Sequence, residues 1–277
     1  MEETDWVLRL EAVAKSFTLH TQGGASLTVF RNLTFEVRRG ESVALTGPSG
    51  IGKSSILRMI YGNYAADRGR ILVRNRGAVV DVTKASAACV LWLRRWTLGY
   101  VSQFLRVIPR VPTLQIVMEP LLERGVDAGR ARERAEAVLH RLRIPERLWG
   151  LSPTTFSGGE QQRVNIARVW AGDYPVLLLD EPTASLDPAN REIVVELIGR
   201  ARERGTALLG VYHDPELRCR VAERTVDVGA FATSETGEDE GVTDGSFHTE
   251  ALPDKTFDHA GRSRPLPGGG AGNTCLP

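Results

Sequence analysis

Apolar and polar positions change period along this chain, and the changes divide it into strands and helices. Val7-Leu8-Arg9-Leu10 and Leu33-Thr34-Phe35-Glu36-Val37 alternate with period two, as half-exposed antiparallel strands do. Ser42-Val43-Ala44-Leu45-Thr46 and Val176-Leu177-Leu178-Leu179-Asp180 are apolar almost throughout, which fits strands of a parallel sheet buried on both faces. Thr206 to Tyr212 is a further β-rich run. Helical spacing takes over from Ala128 to Arg143, where Ala131, Ala135, Val138, Leu139 and Leu142 form one stripe behind an Asp127 N-cap. A second helix starts at Asp187-Pro188, with proline at its first position and Ile193, Val194, Leu197 and Ile198 turned inward.

Strands alternating with helices predict an α/β fold whose parallel sheet is covered on both faces. The stretch from Pro112 to Pro153 is mostly helical and separates two sheet strands, so it reads as an inserted lobe. The texture changes after Val228. Ser234-Glu235-Thr236-Gly237-Glu238-Asp239-Glu240 and Pro265-Leu266-Pro267-Gly268-Gly269-Gly270 carry too little apolar surface to offset chain ordering, and residues 229–277 are predicted to be a disordered, solvated tail.

Composition narrows the class. Hydrophobic residues at 42% and charged ones at 25% are globular values, and 277 residues suffice for a sizeable core. No apolar run approaches the roughly 18 residues of a membrane span, and the acidic start Met1-Glu2-Glu3-Thr4-Asp5 is unlike a secretory signal. A cytoplasmic protein without direct membrane insertion is expected. The net charge of +1 hides an asymmetry: residues 229–277 hold eight acids and three bases, or −5, which leaves +6 for residues 1–228. That excess forms no stripe. Phosphate binding or an acidic partner explains it as well as DNA would, and no nucleic-acid partner is expected.

Phosphate chemistry is explicit in Gly47-Pro48-Ser49-Gly50-Ile51-Gly52-Lys53-Ser54, which fits G-x-x-x-x-G-K-[ST] between an apolar strand and a helix. Its glycines let successive backbone N–H groups face one phosphate cluster, and the helix N-terminus adds positive potential. Lys53 is expected to bridge the β- and γ-phosphates of ATP and Ser54 to hold Mg²⁺, with Ser55 completing the nucleotide-binding stretch. Asp180, at the end of its strand, is placed to reach Mg²⁺, and Glu181 is the candidate general base for an attacking water. His213, after Gly210-Val211-Tyr212, is a candidate γ-phosphate contact. Gln103, after Leu98-Gly99-Tyr100-Val101, is a candidate for contact with Mg²⁺ and the water. Phe17 is a candidate for stacking on adenine. Finally, Ser157-Gly158-Gly159-Glu160-Gln161 opens a helix between the phosphate loop and the acidic strand end, as a second phosphate grip would.

Taken in order, the phosphate loop, Gln103, Ser157-Gly158-Gly159-Glu160-Gln161, Leu179-Asp180-Glu181-Pro182-Thr183, Ser185-Leu186-Asp187 and His213 resemble the ABC-type ATPases over residues 6–228. The resemblance implies a RecA-like P-loop core, an N-terminal antiparallel β-subdomain and an inserted helical subdomain of about residues 104–172. It further implies a head-to-tail pair with a second ABC ATPase domain. Ser157 and Gly159 then face the γ-phosphate held by the other subunit, and Asp187 sits at the seam. Phe156 and Glu160 depart mildly from the commonest signature. Within that family, Lys15 to His20, Val101 to Arg110, Phe156 to Arg168 and, less closely, Pro145 to Trp149 resemble the ATP-binding L subunit of the phosphonate carbon–phosphorus lyase system. That likeness implies a role with carbon–phosphorus lyase core subunits in making ribosyl phosphonate triphosphate from ATP and a phosphonate. The alternatives are the ATPase subunit of a membrane transporter, of lipoprotein-release or small-solute type, and an assembly factor that hydrolyses ATP rarely. The intact Glu181 and His213 count against the assembly factor.

Overall fold

The computed structural model describes residues 5–19, 25–75, 77–105, 109–232, 256–257 and 263–264. The two alternating segments form the long strands β1 (Trp6–Leu19) and β2 (Ala25–Arg38), paired antiparallel with Leu8 opposite Val37 and Leu10 opposite Phe35. All four of these side chains are buried, as the period-two pattern requires. The chain continues through β3 (Ser42–Thr46), α1 (Lys53–Ile60), β4 (Arg68–Asn75), β5 (Ala78–Asp81), α2 (Ala87–Trp96) and β6 (Leu98–Val101). There follow α3 (Thr113–Glu123), α4 (Ala128–Arg141), α5 (Gly158–Gly172), β7 (Val176–Asp180), α6 (Pro188–Glu203), β8 (Ala207–Val211), α7 (Pro215–Val221) and β9 (Arg224–Asp227).

Two sheets organise these elements. One is antiparallel in the order β2-β1-β4-β5, and the other has the order β6-β7-β8-β3-β9 with every pairing parallel. The parallel strands alternate between two cores. Leu177, Leu179 and Leu208 join a core with the helical lobe, α6 and α7, whereas Val176, Leu178, Ala207 and Leu209 join one with α1 and the antiparallel sheet. Both faces are therefore dry, and each leucine so placed contributes about 1.5–3 kcal/mol of transfer free energy. This is why β7 reads as an unbroken apolar run.

The predicted helix starts hold. Asp127 accepts from the backbone N–H groups of Gly129 and Arg130, and Asp187 accepts from Asn190 N–H at 2.9 Å. The ordered body extends past the predicted boundary at Val228. The Asp227 carboxylate accepts from Gly229 N–H, a short 3-10 turn runs Val228–Phe231, and Phe231 packs on the core. Within the predicted tail, Thr256–Phe257 pairs antiparallel with Ser263–Arg264. The rest of the tail lies outside the described residues, as do His20 and Arg106-Val107-Ile108 of the segments compared above. No helix among the described residues is long and apolar enough to cross a membrane.

Candidate active site

Because the strands of the second sheet are parallel, their carboxyl ends share one edge, and the loops that follow them meet there. Neighbouring strands β6, β7, β8 and β3 deliver Gln103, Asp180-Glu181, His213 and the phosphate loop in that spatial order. The topology thus gathers residues that are far apart in sequence.

The phosphate loop takes conformations that need glycine. Gly47, Gly50 and Gly52 have φ of 126°, 81° and 94°. At Gly52 a Cβ would lie 2.2 Å from the Val29 side chain, so β2 of the antiparallel sheet closes directly over the start of α1. The Lys53 ammonium donates to the carbonyls of Gly47 (2.8 Å) and Pro48 (2.7 Å), folding its charge into the concave side of the loop. Burial lowers its pKa, and the Glu181 carboxylate opposes that shift. Ser55 follows in the first turn of α1, half-buried.

Ser54 donates its hydroxyl to Asp180 Oδ1 at 2.7 Å, and Tyr100 donates its phenol to Asp180 Oδ2 at 3.0 Å. Asp180 is only 1% exposed, so both carboxylate oxygens are satisfied from within the protein. Burial pushes the Tyr100 phenol up, and the neighbouring Asp180 charge pushes it the same way, which keeps it a donor. Glu181 turns sharply off the strand end: its φ is 51°, and its N–H donates to Val211 O at 3.1 Å. A non-glycine residue in that region costs roughly 1–2 kcal/mol, and the carboxylate is thereby aimed at the sheet edge. There Oε1 lies 2.6 Å from His213 Nε2, and Oε2 accepts from Gln103 Nε2 at 3.3 Å. His213 and Gln103 therefore both converge on the Glu181 carboxylate.

The serine-glycine-glycine turn is built as a reciprocal cap. Ser157 Oγ accepts from Glu160 N–H, while Glu160 Oε2 accepts from both the N–H and the hydroxyl of Ser157. The Ser157 hydrogen bonds hold the Glu160 carboxyl below the usual glutamate range. Gly158 is open to solvent, but a Cβ on Gly159 would sit 2.8 Å from Ser185 O, so the turn packs against the loop that ends at Asp187. No hydrogen bond or ion pair among the described residues joins this turn to the phosphate loop. Asp187 itself caps α6, and its hydrogen bond from the Asn190 backbone holds its carboxyl low. Phe17 is half-buried on β1, with its ring edge-to-face against Tyr64 at 5.8 Å and the Lys15 ammonium 5.3 Å from its centroid.

Two residues that sequence reasoning passed over enter the site. Tyr100 is one. Asn165 is the other: it is buried within α5 and donates to Ser102 O at 2.7 Å, tying the signature helix to the residue before Gln103. An asparagine inside the apolar run Val164-Asn165-Ile166-Ala167 was the available signal, since a buried amide must find partners. The donor set suits MgATP. Ser54, Asp180 and Gln103 offer hard oxygens of the kind Mg²⁺ prefers, and the positively lined loop offers N–H groups and Lys53 to phosphate.

The chain matches the family model described as "ABC transporter" over residues 30–184. It is 39% identical to the lipoprotein-releasing system ATP-binding protein LolD of Maricaulis maris, across 79% of this chain and 92% of that protein. It is 33% identical to the macrolide export ATP-binding/permease protein MacB of Brucella melitensis, across 80% of this chain and 33% of that longer protein. Its fold is similar to the dimeric ATP-binding cassette MJ0796 bound to ADP and phosphate, with a TM-score of 0.72 and 29% identity, over 79% of this chain and 93% of that one. These likenesses favour the transporter alternative over the phosphonate reading.

Proposed function

The chain belongs to the ABC transporter ATPases, which bind and hydrolyse MgATP, and from that premise we propose that it powers a membrane transporter of the lipoprotein-release type. The observation that carries this reading is the end-to-end likeness to LolD, which spans 92% of that protein.

In the proposed mechanism Lys53 leaves the Gly47 and Pro48 carbonyls for the β- and γ-phosphates of ATP, and the loop N–H groups complete the cradle. Ser54, Asp180 and Gln103 would hold Mg²⁺, which would supply charge neutralisation at the phosphate oxygens. Glu181 takes the proton of the attacking water, and its placement between Gln103 and His213 keeps it aimed at that water. His213 turns from Glu181 toward the γ-phosphate, and Phe17 stacks on adenine. Ser157, Gly158 and Gly159, capped by Glu160, serve the ATP of a second ATPase domain paired head to tail, with Asp187 at the seam. Such pairing accounts for the two grips standing apart within one chain, since each would act on the other subunit's nucleotide.

The helical lobe is the proposed docking surface for a cytoplasmic segment of the permease. Phe104, next to Gln103, is 72% exposed, and a cavity of about 560 Å³ between α3 and α4 is lined by Leu114, Met118, His140 and Trp149. Asn165 connects that lobe to the Gln103 segment. Affinity purification of tagged protein from membrane and soluble fractions tests the reading. Co-purification with an integral membrane permease is expected, and recovery only with soluble partners would refute it.

One sequence feature favours a second reading. Val101 to Arg110, the segment around Gln103, resembles the L subunit of the carbon–phosphorus lyase system. Under that reading the same ATPase site drives lyase core subunits in ribosyl phosphonate triphosphate synthesis. A growth defect confined to phosphonate as sole phosphorus source, produced by Lys53→Ala, would support it over the transporter.

A further inference from the structure

We propose that Tyr100 is a positioning residue for the metal site, holding the Asp180 carboxylate in the orientation that receives Mg²⁺. The inference deepens the site described above and rests on Asp180 being the metal-facing carboxylate.

Asp180 has two oxygens and two side-chain donors. Ser54 occupies Oδ1 at 2.7 Å and Tyr100 occupies Oδ2 at 3.0 Å. The two donors are not equivalent. Ser54 is the hydroxyl that must turn to the metal, and when it does so it releases Oδ1. Tyr100 has no such second task. It projects from β6, the strand beside β7, and its backbone is fixed in register opposite Leu178. The phenol therefore keeps its grip on Oδ2 while Oδ1 is freed, and the carboxylate stays in one rotamer as its other partner leaves. A buried carboxylate with an unsatisfied oxygen would otherwise rotate or draw in water.

The phenol also lies in the field of a cation. Arg58, on the same face of α1 as Ser54, donates Nη1 to Tyr64 Oη at 3.1 Å, and its charge opposes the upward push on the Tyr100 phenol. A cation close to the phenol polarises the O–H that Tyr100 presents to Asp180. The geometric hold on Asp180 is thus the Tyr100 phenol on Oδ2, with the Arg58 charge nearby as a polarising influence. α1 contributes both Arg58 and Ser54. Phenylalanine at position 100 would keep the ring, the packing and the strand, and would remove only this hold.

The test is metal affinity rather than turnover alone. The full chain is bound to a non-hydrolysable ATP analogue and titrated with Mn²⁺ by electron paramagnetic resonance, for wild type, Tyr100→Phe, Arg58→Gln and Asp180→Asn. Analogue binding is measured separately in EDTA. Tyr100→Phe is expected to weaken Mn²⁺ binding by about 10-fold, at the low end for loss of an outer-shell partner, with metal-free analogue affinity unchanged. Arg58→Gln should move it the same way by less. An unchanged Mn²⁺ affinity in Tyr100→Phe, while Asp180→Asn loses it, overturns the role of Tyr100 and leaves the site reading intact. Equal losses of analogue binding with and without metal would also overturn it, because they would make Tyr100 a structural support of the whole pocket. If Asp180→Asn itself binds Mn²⁺ normally, the metal assignment fails and the inference with it.

Discussion

Replacing Glu181 by glutamine separates binding from chemistry in this site. The carboxylate lies 2.6 Å from His213 Nε2 and accepts from Gln103 at 3.3 Å, and its link to the phosphate loop is the charge it presents to Lys53, with no hydrogen bond between them. Glutamine fills the same volume; its oxygen can still accept from Gln103, and its amide N–H can donate to His213 Nε2 only when the imidazole proton sits on Nδ1. The His213 side chain is 61% exposed, and in the other tautomer water replaces that partner, which limits the stability change to about 1 kcal/mol or less. The strained turn at φ 51° remains, since glutamine and glutamate share its cost. The larger effect is on proton transfer. An amide cannot take the proton of the attacking water, and loss of a general base slows turnover by about 10²–10⁴-fold, equivalent to roughly 3–5 kcal/mol of barrier. Lys53 loses the Glu181 charge but keeps the Gly47 and Pro48 carbonyls, so nucleotide affinity should stay within about threefold of wild type, under 1 kcal/mol. Single-turnover hydrolysis, nucleotide titration and sedimentation with ATP together read these quantities; slow hydrolysis, retained binding and an accumulating dimer are expected. Turnover within about threefold of wild type, or loss of binding in step with turnover, would refute the assignment of Glu181 as base.

Gly159→Ala sets helix propensity, which favours alanine by about 1 kcal/mol, against a Cβ placed 2.8 Å from a backbone oxygen that cannot rotate aside. The contact should win, lowering the melting temperature and slowing hydrolysis, whereas a more stable and fully active variant would contradict the packing described. Leu178→Ala removes a fully buried side chain on the face of β7 that meets α1, and denaturant unfolding should register a loss of about 3 kcal/mol. Ser157→Ala should destabilise α5 by about 1 kcal/mol near neutral pH. Because Ser157 lowers the folded-state pKa of Glu160, that carboxylate's share of stability is present above its unfolded pKa and fades as pH falls through the lower folded value. Wild type and Ser157→Ala should therefore converge in acid. An NMR titration placing Glu160 at its ordinary value in wild type would argue against the cap.

Much of the site was legible because its signals are local. The phosphate loop and the Ser157 turn are contiguous motifs whose backbone geometry depends on their own glycines and caps. Asp127 and Asp187 announced helices by the same kind of short-range chemistry. Tyr100 and Asn165 were not legible in that way. Each meets its partner across the fold, Tyr100 at Asp180 and Asn165 at Ser102, 80 and 63 positions apart along the chain. A tyrosine in a short strand and an asparagine in a helix have no local signature of such a partner. Partner choice was not legible for a related reason: the catalytic motifs are common to ATPases that drive different machines.

By itself, then, the sequence determined the elements, the phosphate-binding chemistry and the membership of a family, because periodicity, glycine placement and capping act over a few residues. Only the tertiary structure decided that Gln103 and His213 share the Glu181 carboxylate, that Ser54 and Tyr100 divide Asp180 between them, and that the signature turn rests on the Ser185 carbonyl. The physical reason is the parallel sheet. Its strand order β6-β7-β8-β3 brings distant loops to one edge, and no local pattern encodes which strands become neighbours.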